Sequence, residues 1–205
     1  MAILGASGKL GDLLIARALD LGHEVKALAR DPRGIKRHNE RLTVIKGDAE
    51  TGEGLEAVVE RCQFVISALG SLKPQIEKCL THVVLELEQV KRLERFVMIS
   101  RLGAGGSLQQ SSKASGPLQP HLPRLMRTVF RDITAAEALV RVSRLPYTIL
   151  RATRLTDGSA KGEVVTTEPS SPAPHRVSRT DLAHFVLEML DQPQWHRKEV
   201  TVGSK

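Results

Sequence analysis

Apolar positions along the chain follow two alternating rhythms. Short apolar runs at Ala2 to Leu4, Glu24 to Ala29, Leu42 to Lys46, Phe64 to Ser67, Phe96 to Ile99 and Tyr147 to Leu150 are separated by longer stretches of helical period. The predicted helices are Leu10 to Leu21, Leu55 to Arg61, Ile76 to Val90, Leu122 to Ser143 and Ser178 to Leu190. In the first, Leu10, Leu13, Leu14, Ala18 and Leu21 mark an apolar face, and Gly22 stands where a helix stop is expected. Strands alternating with helices predict βαβ units, so the expected fold class is α/β, a Rossmann-type doubly wound domain with a mostly parallel sheet. Glu199 to Val202 can extend one edge, for six to seven strands in all.

Two stretches break the rhythm, Gly103 to Pro120 and Thr156 to Pro174, both rich in small and polar residues and proline. Each follows the carboxyl end of a predicted strand, where open α/β sheets bind ligands. They are candidate substrate loops, near 101–122 and 152–176, and a plain surface connection is the competing role. The length, 205 residues, suits a single domain spanning 1–205.

Composition narrows the function. Thirty Lys and Arg against 23 acids give a net charge of +7, which raises a nucleic-acid partner. Four Phe, one Trp and one Tyr, none alternating with basic residues, make no stacking platform, so no nucleic acid is expected. The apolar N-terminal run is too short for a secretory signal or a membrane span, and a cytoplasmic protein without membrane contact is expected. Cys62 and Cys79 lack metal or redox spacing, and the seven His show none, so no metal site is expected.

Between the first strand and first helix lies Gly5-Ala6-Ser7-Gly8-Lys9-Leu10-Gly11. Glycines spaced in this way let backbone N–H groups and the positive end of a helix approach a pyrophosphate with no side chain between. The second strand ends in Arg30, about 20 residues after the loop, where an acid would read the ribose of NAD and a cation the 2′-phosphate of NADP. Arg33, Lys36 and Arg37 can add charge there. The alternative for Arg30 is a surface pair with Asp31. Asp48, followed by Ala49, ends the third strand, where a carboxylate can accept from an adenine amino group or cap a helix. Ala68, Leu69 and Gly70 end the fourth strand, small enough for the backbone to pass close to ribose and pyrophosphate, although a tight turn also explains the glycine.

The glycine loop, Ala27 to Pro32, Val44 to Asp48, Ile99-Ser100, Leu155 to Gly158 and Val177 to Phe185 together resemble the atypical short-chain dehydrogenase/reductase proteins. Within them the likeness is to the biliverdin-IXβ reductase, or flavin reductase, branch, and it spans nearly the whole chain. It implies NADP(H) binding and two-electron reduction of a flavin, a biliverdin-like compound or another small planar acceptor, by a monomer or weak homodimer. The Tyr and Lys four residues apart that serve proton transfer in many short-chain dehydrogenases are missing. The only tyrosine, Tyr147, has Arg151 at the fourth position, but on a strand this places them roughly 13 Å apart. A non-catalytic NADP(H)-binding redox sensor or regulator is the alternative.

In this scheme Ser100 and Arg101, past strand five, border nicotinamide and acceptor as the candidate catalytic residues, and Ser100 also contacts cofactor. Arg151 and Thr153 join the cofactor set. Arg101, Arg154, His121 and Leu125 are candidate substrate contacts, Leu125 beside Met126 in the first turn of a helix. For Arg101, Arg151 and Arg154 the competing role is structural ion pairing with Asp132 or Glu137. For His121 it is solvation, and for Leu125 and Met126 core filling.

Overall fold

Ala2, Ile3 and Leu4, all fully buried, form β1, and they alternate as a strand must: Ile3 faces one apolar core, Ala2 and Leu4 the other. The computed structural model describes residues 1–70, 74–107, 124–160, 162, 164–168 and 174–204. Around β1 run β2 (Val25–Ala29), β3 (Leu42–Lys46), β4 (Phe64–Ser67), β5 (Arg95–Arg101), β6 (Tyr147–Ala152), β7 (Arg154–Thr156), β8 (Val164–Thr167), β9 (Arg176–Ser178) and β10 (Lys198–Ser204). The order is β3-β2-β1-β4-β5-β6-β10-β9-β7, with β8 on β10. From β3 to β10 every neighbour is parallel, and the chain reverses direction across the sheet between β1 and β4. This is the doubly wound Rossmann arrangement, whose ligand crevice opens at that switch point.

Ten strands exceed the six to seven expected. The surplus, β7, β8 and β9, comes from 154–178, most of which the sequence pattern assigns to a loop. Val164–Thr167 is half-buried throughout, so it lacks the apolar alternation that marks a strand, and its pairing antiparallel to β10 is a tertiary event.

The helices are α1 (Lys9–Asp20), α2 (Leu55–Val59), α3 (Ile76–Leu87), α4 (Arg124–Val142) and α5 (Arg179–Glu188). Helices α1 and α5 cover one face of the sheet, and α2, α3 and α4 the other. In α1 the inward residues are Leu10, Leu14, Ile15, Ala18 and Leu19, whereas Leu21 is exposed, outside the apolar face assigned to it. The helix stops in a Schellman motif: Gly22, at φ +89°, donates to the Leu19 carbonyl and His23 to that of Ala18. Ser178 caps α5, its hydroxyl accepting from the Asp181 amide. Helices α2, α3 and α5 are shorter than their sequence patterns by one to three residues at their ends, as frayed termini are.

Candidate active site

The glycine loop is built for close backbone approach. Gly5 lies at φ +77°, and a Cβ there would stand 2.6 Å from the Ala68 carbonyl oxygen. A Cβ on Gly11 would stand 2.3 Å from the Gly5 carbonyl oxygen, so the first turn of α1 sits directly on the loop. Gly8 occupies the N-cap of α1 and brings no side chain, which leaves the first-turn N–H groups without a side-chain cap. Ala6 and Leu10 are buried beneath, while Ser7, Gly8 and Lys9 are exposed. The exposed Lys9 ammonium meets Asp157 at 2.8 Å, and Arg179 meets the same carboxylate at 2.6 Å. The bond from Lys9, with help from Arg179, holds the Asp157 carboxyl below its ordinary pKa.

Beside the loop, the cations in and after β2 are sorted by their partners. Arg33 pairs with Asp31 at 3.0 Å, Arg37 grips Asp12 on α1 at 2.7 and 3.0 Å, and Lys26 donates to the Ala57 and Glu60 carbonyls at the end of α2. Arg33, by its bonds to Asp31, keeps that carboxyl below its ordinary pKa. Arg30 does not take Asp31: it is exposed, and among the described residues neither Arg30 nor Lys36 has an ion-pair partner. A Cβ on Gly34 would come within 3.5 Å of the Ser7 side chain, so this cationic turn packs against the glycine loop.

At the end of β3, Asp48 does not cap a helix. Its carboxylate accepts from the Glu50 amide and its backbone bridges Glu53, while Gly54 occupies the N-cap of α2. Ala49 is buried next to it, and Ala68, Leu69 and Gly70 lead out of β4 with Ala68 and Leu69 half-buried and Gly70 open. Asp132, weighed as an arginine partner, instead accepts from the Ile76 and Glu77 amides at the start of α3.

Across β5 and β6 the site turns from surface to interior. Ser100 and Arg151 are opposite one another in the sheet. Arg151 is wholly buried, and its guanidinium is taken by the equally buried Glu137 of α4, at 2.7 Å, and by Glu199 of β10, at 2.5 Å. The pairing with Glu137 weighed for Arg151 is present, and its Nη1 is buried without a hydrogen-bond partner among the described residues. Burial opposes its charge, but the bonds from the two carboxylates outweigh burial and raise its pKa. Arg141 bonds Glu199 at 2.6 Å, and this bond, aided by Arg151, lowers the Glu199 pKa against the effect of burial. Ser100 Oγ donates to Glu137 at 2.5 Å.

Arg101 and Arg154 are exposed, Arg101 lying over the Phe130 ring at 5.7 Å from its centroid. Thr153 is buried with an unpartnered hydroxyl. Leu125 lies in the first turn of α4, and His121 falls outside the described residues. Tyr147 is buried at the amino end of β6 with Arg197 stacked 4.8 Å from its ring centroid.

The sequence from 5 to 193 matches a family model described as NAD(P)H-binding. The chain belongs to the NAD(P)H-binding family. No curated protein matches it significantly. Among solved structures, this family member is similar to a short-chain dehydrogenase/reductase of Veillonella parvula in complex with NADP, at 24% identity and TM-score 0.83, over 99% of this chain and 93% of that one. It is also similar to ChuY, an anaerobilin reductase of Escherichia coli O157:H7, at 24% identity and TM-score 0.82, over 99% and 96%. A Streptococcus pneumoniae protein proposed to be an NADH-flavin reductase is 19% identical at TM-score 0.76, over 100% and 98%. At these identities the likeness is one of fold.

Sequence reasoning passed over Phe130 and Glu199, and treated Glu137 only as a pairing alternative. One signal was present for Glu137: it falls within the buried stripe Val129, Ile133, Ala136 and Val140 of α4, where an acid requires a partner.

Proposed function

We propose that this protein is an NADPH-dependent reductase of small planar acceptors, of the flavin or bilin type, working without a Tyr/Lys pair. The observation that carries the reading is the exposed Arg30, without a carboxylate partner among the described residues, just past the end of β2 and next to a glycine loop whose helix lacks a side-chain cap. The residues present fit a dinucleotide. Gly5, Ala6, Ser7, Gly8, Lys9, Leu10 and Gly11 would hold the pyrophosphate at a helix start with no side-chain cap, in a turn whose backbone packs too closely at Gly5 and Gly11 to admit a Cβ. Arg30, with Lys36, suits a 2′-phosphate, since a guanidinium binds phosphate through two parallel bonds. Asp48 and Ala49 would hold the adenine end, and Ala68, Leu69 and Gly70 would line the ribose and pyrophosphate.

Bound NADPH supplies a hydride. What the protein must add is orientation and exclusion of water, because a flavin or bilin spreads the incoming charge over its own rings and takes its proton from solvent. Ser100 and Arg101 border the place of transfer, with Thr153 on the cofactor side. The exposed guanidinium groups of Arg101 and Arg154 attract the phosphate or propionates of an anionic acceptor. The fold likeness to reductases of a bilin and, as proposed, of a flavin supports this acceptor class.

Mixing the protein with NADPH and FMN, riboflavin or biliverdin and following the nicotinamide absorbance tests the reading. Turnover with one of these acceptors is expected. Tight NADPH binding without turnover on any of them would overturn it in favour of a redox sensor.

A further inference from the structure

Glu137 and Arg151 are both fully buried, and they reach Ser100, itself buried at 8% exposure, next to the exposed Arg101 that ends β5. Glu137 Oε1 takes the Ser100 hydroxyl at 2.5 Å and Arg151 Nε at 3.0 Å, while Oε2 takes Arg151 Nη2 at 2.7 Å. An ionised carboxylate only accepts, so the hydroxyl hydrogen of Ser100 is committed to Glu137. A Cβ on Gly105 would stand only 2.2 Å from Glu137 Oε2, so the backbone after β5 packs directly against the oxygen that Arg151 Nη2 holds.

We propose that Glu137 is a positioning residue that makes Ser100 Oγ a fixed hydrogen-bond acceptor toward the cleft, so that the protein selects planar acceptors with a ring-edge N–H over quinones. The inference rests on the reductase reading above. Ser100 has one hydrogen and gives it inward, so outward it offers lone pairs alone. Flavins and bilins carry ring N–H groups that can meet those lone pairs. A quinone edge carries carbonyl oxygens, which Ser100 can only repel. The buried Arg151, held in turn by Glu199, pairs with Glu137 and holds it in place.

The test is steady-state kinetics with NADPH on the full chain, comparing FMN with menadione, a quinone lacking N–H. Glu137→Gln can donate its amide to Ser100 and release the hydroxyl hydrogen toward the cleft. The ratio of kcat/KM for FMN over menadione is expected to fall about tenfold, the size of one hydrogen bond, with NADPH KM unchanged. Ser100→Ala should lower the ratio similarly and Ser100→Thr should keep it, and these two decide the matter if the Gln variant does not fold. An unchanged ratio in Ser100→Ala, or in a folded Glu137→Gln, overturns the inference while leaving the reductase standing. Failure of the wild type to reduce FMN, riboflavin, biliverdin or menadione overturns the reductase reading, and this inference with it; turnover with biliverdin but not FMN leaves the reductase standing and moves the same comparison to biliverdin against menadione.

Discussion

Two residues show how much a single position decides. Arg30 was open to two roles in the sequence, phosphate clamp or partner of Asp31, and the structure closes the second by giving Asp31 to Arg33. Arg30→Glu places a carboxylate against a 2′-phosphate, so the NADPH Kd is expected to rise more than tenfold, about 1.4 kcal/mol or more, while that for NADH changes little. Fluorescence titration of both nucleotides checks this, and equal losses would contradict the assignment. Arg151 is the converse. Expected among the cofactor contacts or in an ion pair with Asp132 or Glu137, it is buried between Glu137 and Glu199. Its neighbours Leu150 and Ala152 in β6 are buried on the opposite face, so alternation alone points Arg151 into the core beneath α4. A charged residue at an inward position is the legible signal, but its partner, 14 residues away in the sequence, is not.

Elements were easier to place than their ends. Six parallel strands and the main helices were readable because long periodic segments announce themselves, and the Gly22 stop of α1 is a local backbone requirement. The start of α3 was not readable in this way. No residue of its own caps it, and the carboxylate of Asp132, from α4, receives the Ile76 amide at 2.7 Å. Asp132→Ala therefore removes a cap supplied from another helix. A loss of about 1 kcal/mol in stability is expected, seen as a lower Tm, with NADPH affinity retained. Thermal melts together with nucleotide titration separate the two effects. The strands β7, β8 and β9 were hidden for a related reason, since short half-buried segments become strands through the neighbour they pair with.

At the scale of the whole molecule the buried network ties β5, β6, β10 and α4 together through Ser100, Arg151, Glu199 and Glu137. Arg151→Met leaves the buried Glu137 with only the more distant Arg141, at 3.9 Å, and a destabilisation of about 3–5 kcal/mol in urea unfolding is expected. The pH dependence follows from Glu199. Its folded pKa lies below the ordinary glutamate value, so the folded state holds its proton less tightly than the unfolded chain. The stabilisation is complete above the unfolded pKa and is lost as pH falls through the lowered folded one. Urea midpoints measured downward from neutral pH should fall in that acid window, and Glu199→Gln should flatten the decline. Cys79, its thiol pushed up to about 11 chiefly by burial, should resist alkylation at neutral pH until the chain unfolds. What the sequence determined by itself was local: the alternation that makes a doubly wound sheet, the glycines that let α1 approach a pyrophosphate, and the cations that follow β2. Only the tertiary structure decided which of those cations stay free, and that a buried carboxylate stands behind Ser100. Periodicity and backbone freedom are properties of neighbouring residues, whereas the partner of a charge is set by which distant segments the fold brings within hydrogen-bond reach.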